Sequence, residues 1–486
     1  MHITSQVISL TISIASFLFS LFLFFYPFYL FSGKLTKMFS PLYCLEIKDN
    51  AVNCLLLVFM LKTYLTIVTA FLFGIAIGLP LLLLGLFWLM PICIVSLFIF
   101  IFLFSLLLNK KISPLMREHS VKRKSLTRLL CEVFILAFPC YAFLYFESFN
   151  ILPVTWDRGH HFVRTLYYIV YNNLDTYHPG TLYKEIYPQG YYVSVAGFLR
   201  LYVFVSRGAL CIRTIDSNIL LYTSLAFKLF NSVIFIAYFI GVALIIYMPL
   251  AMVTNNIRLK HFDTDFPSLE ILSLLSVAIQ IYFICTQGSL TEIAGFSVLA
   301  YVVLAIFYVS SAMVGKLHIK KRDFFILLLS GYLMVFGLYI HPHVTVLIIL
   351  MTLTFVIINR KAVYKYLKDF IYPQIRPYII ILIILSSFPF FYFYYYSYNY
   401  LSTVINHYIE RTTIISIFLH TYSNWDAFKR NVLLPLLKSL SSNYILYISL
   451  PLSLLHLKKR IGEYANIIKK VIYFRIWLLH YIIIIL

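Results

Sequence analysis

The chain is 486 residues long, 62% hydrophobic and only 12% charged, with a mean hydropathy of +0.90. An average soluble domain is nearer half apolar and a quarter charged, so a soluble globular core is excluded and a bilayer must take up the apolar surface. The formal charge of +21 does not mark a nucleic-acid binder, because the excess lies in short loops between apolar runs, where membrane topology accounts for it.

The first apolar run, Ile8 to Phe31, is too long for a signal h-region and lacks a basic n-region and a small-residue cleavage site. It is read as a retained helix. Similar runs follow along the whole sequence. The expected architecture is an all-α polytopic transmembrane bundle of twelve or thirteen spans. They fall near 8–31, 51–73, 79–108, 126–149, 218–250, 267–285, 292–314, 323–340, 343–358, 377–397, 431–456 and 471–486. The seven cysteines form no CxxC or His-spaced cluster, so neither zinc nor a disulfide framework is suggested.

Loop charge sets the expected topology. Lys110 to Arg128 holds seven Lys/Arg, Lys316 to Arg322 four, Arg360 to Arg376 five and Lys458 to Lys470 five. These loops should face the cytoplasm. The hairpin turns at Cys285–Gly288 and at His341-Pro342-His343 then point outward. Three divisions follow: N-terminal transmembrane helices over 1–149, an outer loop with interfacial helices over 150–217, and the remaining spans over 218–486. A further outer loop near 398–430 carries His407, Glu410, Arg411, His420, Trp425 and Asp426. Parity makes one demand. If the loop 254–262 is cytoplasmic, only one crossing links it to residue 190. That crossing is assigned to 218–250, so Tyr191 to Val205 lies in the outer interface or re-enters without crossing. If it crosses, there are thirteen spans.

The outer segment 153–193 is the most polar long stretch in the chain. Asp157, His160, His161 and Arg164 fall on one helical face, and Phe162, Leu166, Ile169 and Val170 on the other. The pattern predicts an amphipathic helix along the membrane surface, its ionisable face toward a cavity. A carboxylate beside imidazole can act as a general base, while imidazolium and guanidinium can receive a departing phosphate. The plainer reading makes Asp157 a helix N-cap and the others headgroup contacts. Together the groups suggest transfer from a lipid-phosphate donor drawn from the bilayer.

Trp156-Asp157-Arg158-Gly159-His160-His161, then an amphipathic helix, then Tyr187-Pro188-Gln189-Gly190-Tyr191-Tyr192, resembles the first large outer loop of GT-C superfamily glycosyltransferases. The resemblance rests on Asp157, His161, Tyr187, Pro188 and Gly190 and covers about 40 residues closely, the span pattern loosely. It implies an inverting enzyme that moves sugar from a polyprenyl-phosphate or -diphosphate carrier to a glycan or protein acceptor at the outer face. It implies Asp157 as catalytic base and His161 as a substrate or phosphate contact. Tyr192 stands where many relatives carry His, and four spans precede the loop where one is commoner.

The further candidates for substrate or phosphate binding are His160, Arg164, Tyr187, Gln189, Arg200, His341 and His343. Arg207 and Arg213 follow as weaker phosphate candidates, and Glu292 begins a span. His341 and His343 with Asp157 would also suit a divalent cation. Arg200 and the His-Pro-His turn have plainer readings as headgroup contacts. Lys62 and Lys228, inside apolar runs, are expected to snorkel. The aromatic run Phe390 to Tyr400 is expected to form an interfacial belt.

The expected partners are a lipid-linked sugar donor, an acceptor and membrane lipids, with no nucleic acid. The expected location is the plasma membrane. A transporter or flippase of lipid-linked saccharides is the alternative, though it calls for charged groups along a path near mid-membrane. A non-catalytic scaffold is the third, and would not need the polar segment.

Overall fold

The structure is a computed structural model; it describes residues 2–39, 51–108, 156–172, 189–210, 217–256, 290–313, 321–368, 372–376 and 387. Among these residues all regular structure is helical. The helices are α1 (His2–Phe39), α2 (Ala51–Leu83), α3 (Met90–Leu108), α4 (Trp156–Tyr171), α5 (Gly190–Arg207), α6 (Ser217–Asn256), α7 (Leu290–Met313), α8 (Lys321–Val335), α9 (Pro342–Ile358), α10 (Arg360–Tyr366) and α11 (Tyr372–Ile375). Short 3₁₀ turns cover Phe87–Leu89 and Phe336–Tyr339.

Among the described residues, three stretches are long and apolar enough to cross a membrane: Thr11–Phe39, Val58–Leu83 and Ile219–Gly241. Shorter apolar stretches cover Phe87–Leu103, Ile293–Ile306 and Ile326–Tyr339. The numbered helices belong to one compact unit (Met1–Asp175, Gln189–Ser268, Cys285–Pro377). A second unit (Thr176–Pro188, Leu269–Ile284, Tyr378–Leu486) falls outside the described residues apart from residue 387. So do the expected spans near 126–149, 267–285, 431–456 and 471–486, nearly all of 377–397, and the outer loop near 398–430.

Side-chain pairs fix the direction of each helix. Phe28 meets Phe73 at 4.9 Å and Ser32 Oγ lies 2.7 Å from Thr66 Oγ1, so α1 and α2 run antiparallel. Tyr64 packs on Gly241, while Tyr191, beside Phe71, bonds to Asn231; α2 and α6 are therefore also antiparallel. Tyr238 faces Phe296 and Gly241 faces Ala300, so α6 and α7 run parallel. That is the direction required by the expected return through 267–285. Tyr301 bonds to Ser330 and Val298 abuts Gly337, which reverses α8 against α7. Val344 against Gly295, with Ile348 beside the Gly337 that Val298 abuts, turns α9 parallel to α7 again.

These directions sort the described residues by end. One end gathers the C-termini of α1, α7 and α9, the N-termini of α2 and α8, and α10. It carries Lys34, Lys37, Lys321, Arg322, Arg360, Lys361 and Lys365. The other end gathers α4, α5, the 84–89 turn and the turn before α9. Among the described residues, those basic positions and the α4–α5 elements thus lie at opposite ends.

α5 is the element on which that second end is assembled. Every residue from Gly190 to Val203 is buried. Gly74 and Gly78 of α2 let it approach. A Cβ at Gly74 would stand 2.6 Å from Ser194 Oγ, and one at Gly78 would overlap Val193 Cγ1. Small residues spaced by four allow two helix backbones to close where lipid gives no hydrophobic drive to association. Ser194 Oγ then donates to the Phe71 carbonyl at 2.9 Å. Further along, Phe198 stacks on Phe230 at 4.4 Å and Tyr202 bonds to Ser13 at 2.5 Å. The partners on α1, α2 and α6 are residues 13–24, 71–78 and 230–231, all in one half of the bundle.

Several expected boundaries move. The break between the second and third spans, read at 74–78, falls instead at 84–86, where Gly85 takes φ 69°. The glycines that interrupt the apolar run are packing positions inside α2, and left-handed Gly85 ends the helix. α1 continues eight residues past Phe31, to Phe39. Lys62 is half-buried with its ammonium on the Tyr29 ring, and Lys228 is enclosed at 7% exposure rather than extended to the surface.

Gly78→Val should destabilise the protein by about 1–3 kcal/mol through overpacking against Val193. Gly331→Ala, where nothing lies within 4 Å, should be neutral or mildly stabilising. Thermal unfolding in detergent compares the two; equal effects would contradict the α2–α5 contact.

Candidate functional site

The polar segment forms α4 as its spacing predicts, but both faces of the helix are covered. Phe162, Leu166 and Ile169 are buried, with Phe162 5.2 Å from Phe227 of α6. His161, Arg164, Thr165 and Tyr168 are buried as well. The expected opening of this face onto a cavity is therefore corrected at His161 and Arg164, which pack against protein. The outward stripe is Val163, Tyr167 and Tyr171; the two tyrosine rings lie 4.5 Å apart.

His161 and Tyr192 form the joint between α4 and α5. The imidazole Nδ1 and the Tyr192 hydroxyl share a hydrogen bond of 2.7 Å. The imidazole also meets the Tyr191 ring edge-on at 5.8 Å, and the Tyr191 hydroxyl donates to Asn231 Oδ1 at 2.7 Å. Asn231 is fixed in turn by donating to the Phe227 carbonyl at 2.8 Å. The Arg164 guanidinium lies over the Tyr192 ring at 5.0 Å, and Nε and Nη2 each approach the Tyr168 hydroxyl at 3.4 Å. A buried arginine is tolerated where an aromatic face and polar oxygens replace its water. The Tyr192 phenol is what receives His161.

Arg200 is fully buried and holds protein groups. Its Nε and Nη2 donate to the Leu210 carbonyl at 3.4 and 3.3 Å. Its Nη1 donates to Asn172 Oδ1, and its guanidinium lies 5.6 Å from the centre of the Phe87 ring. Asn172, at φ 59°, is the left-handed residue that ends α4. One guanidinium therefore ties the end of α4 to α5, to the chain beyond α5 and to the 87–89 turn. These partners describe a clamp, in place of the phosphate contact expected from sequence. Arg207 is exposed; Arg213 lies outside the described residues.

The 341 turn reaches the same place. A Cβ at Gly190 would stand 2.5 Å from the Tyr339 carbonyl oxygen, so the first residue of α5 lies directly on the turn before α9. His341 is buried in extended conformation at the N-cap of α9, and Pro342 occupies the first turn, where its missing N–H costs nothing. Gly190 opens α5, and the next two residues carry the His161 joint. His161, Gly190 and the turn that carries His341 thus converge on the start of α5.

Asp157 lies in the first turn of α4, four residues before His161. The side chains of Asp157, His160, Glu292 and His343, and the whole of Tyr187, lie outside the described residues. Gln189 is the residue before α5 and is half-buried. Among the described residues no three His, Cys, Asp or Glu side chains come together as a metal-ligand set. Compared with protein-family models, with characterised proteins and with solved structures, the chain matches none.

Sequence reading missed Asn231, Asn172 and the role of Tyr192. The available signal for Asn231 was a lone carboxamide inside an apolar run. Asn172 carried the signal of a helix C-cap.

Tyr192→Phe should cost about 1–3 kcal/mol, since it strands a buried imidazole nitrogen. Arg200→Met should speed hydrogen exchange across Trp156–Asn172, including amides well away from the substitution. Exchange unchanged in α4 would contradict the clamp.

Proposed function

We propose that this chain is a membrane glycosyltransferase of the GT-C type, working at the non-cytoplasmic face on a polyprenyl-phosphate-linked sugar. The observation that carries the reading is the convergence on α5. The helix bearing Asp157, the Gly190 element and the His341 turn meet at the end of the bundle opposite the one that carries Lys34, Lys37, Lys321, Arg322, Arg360, Lys361 and Lys365. Positive charge marks the cytoplasmic side, which makes the α4–α5 end the outer one.

In the proposed reaction an acceptor hydroxyl or amide attacks the anomeric carbon of the donor sugar. The bond from that carbon to the lipid phosphate oxygen breaks, and the phosphate leaves with the bonding pair. Asp157 takes the proton from the acceptor, as a general base contributing about 10²–10⁴-fold. Attack opposite the leaving group inverts the anomeric centre. His160 and the His341 turn are the candidates to receive the phosphate charge. His161, Arg164 and Arg200 act as positioning residues: the first two through Tyr192 and the third through Asn172, they hold α4, and so the turn bearing Asp157, against α5.

The single-interface placement of these groups favours chemistry over passage. A transporter needs ionisable groups along a path through the membrane. The polar joint described here closes α4 onto α5 with tyrosines.

The test uses the full chain in proteoliposomes with a labelled polyprenyl-phosphate sugar. Asp157→Asn should fold, keep its unfolding temperature and lose at least about a hundredfold in transfer. Wild-type transfer by that variant would overturn the role of Asp157. Flux of the lipid-linked sugar with no covalent product would overturn the enzyme itself.

A further inference from the structure

The first hairpin contains a cation that the proposed chemistry does not use. Lys62 of α2 lays its ammonium on the face of Tyr29 of α1, 3.3 Å from the ring centre. Its stem passes Gly33, where a Cβ would stand 3.7 Å from Lys62 Cε. The arrangement is at the surface: Lys62 is half-buried and Tyr29 is 44% exposed. Neither α1 nor α2 contains an aspartate or glutamate. Tyr29, Gly33 and Lys37 recur every four residues and so share one stripe of α1. Lys37 and Lys34 are both exposed in the last turns of that helix. Lys62 lies level with Tyr29 and Gly33 of α1, one to two helical turns (about 6–12 Å) inward from Lys37.

A cation set one to two turns inward from two more at a helix end is complementary to one kind of partner. Lipid chains offer it nothing, and water reaches that depth poorly. The phosphate of a bilayer lipid sits at the right level, and basic clusters at one end of a helix pair bind anionic headgroups. The tyrosine face holds the ammonium in place, which lowers the entropy lost when a headgroup binds. We propose that the Lys62–Tyr29 pair, with Lys34 and Lys37, is a binding site for an anionic phospholipid headgroup. It lies at the end of the bundle opposite α4 and does not depend on the glycosyltransferase reading.

The test titrates short-chain phosphatidylglycerol into the full-length protein in neutral detergent and follows the unfolding temperature, with phosphatidylcholine and inorganic phosphate as parallel arms. Phosphatidylglycerol should stabilise the protein saturably, as a ligand of the native state does. Lys62→Met should bind it about fivefold more weakly, and Lys62→Arg should retain binding. If Lys62→Met does not fold, Tyr29→Leu decides, with an expected loss of about threefold. Equal stabilisation by phosphatidylcholine would overturn the proposal. So would an equal effect of inorganic phosphate, which would make this a free-anion site. Wild-type affinity in Lys62→Met, or in Tyr29→Leu where that variant decides, would also overturn it.

Discussion

The close seating of α5 against α2 is the constraint from which the rest of the polar end follows. A membrane protein cannot rely on the hydrophobic effect to press its helices together, because lipid tails are as apolar as leucine. Contact must come from shape and from hydrogen bonds. Gly74 and Gly78 remove two side chains where Val193 and Ser194 arrive, and the Ser194 hydroxyl then bonds to the Phe71 carbonyl. With that seat filled, Tyr191 meets Asn231, Tyr192 meets His161, and Gly190 rests on Tyr339. Arg200 then reaches Asn172, Leu210 and Phe87 from the far half of the same helix. A polar loop that would otherwise be held only by the membrane surface is fastened at both ends of α4.

This gives the ionisable residues of α4 a division of labour. The buried pair, His161 and Arg164, belongs to the joint with α5 and is engaged by tyrosines. Asp157 is one helical turn nearer the start of α4, beyond that joint. A base must be held within a narrow range of its productive geometry, and a helix braced by buried hydrogen bonds supplies such a mount. The reading of α4 as a catalytic support rests on this bracing rather than on the helix being amphipathic.

Much of the architecture was legible in the sequence for plain reasons. Long apolar runs without charges can only be helices in lipid, because every backbone polar group must be satisfied within the segment. The basic loops gave an expected order of ends, and pairs such as Phe28–Phe73 with Ser32–Thr66 and Tyr238–Phe296 with Gly241–Ala300 set the directions of the described helices. Parity alone singled out 191–205 as something other than an ordinary span, and α5 stays in one half of the bundle. Boundaries inside continuous apolar sequence were not legible. Gly74 and Gly78 look like a break but serve a helix contact, and only backbone conformation marks Gly85 as the true stop. Orientation on α4 was not legible either. The spacing of Asp157, His161 and Arg164 puts them on one face, yet the sequence does not say whether that face meets solvent or another helix. Tyr192 decides it, from a position 31 residues beyond His161.

The account as a whole requires that α4 and the basic helix ends lie on opposite sides of a membrane. Replacing the seven native cysteines and returning single cysteines at exposed Tyr171 and exposed Lys37 allows a direct measurement. A membrane-impermeant thiol reagent added to intact cells should label position 171 and leave position 37 untouched until the membrane is opened. Labelling of position 37 from outside, with position 171 protected, would contradict the account at its centre.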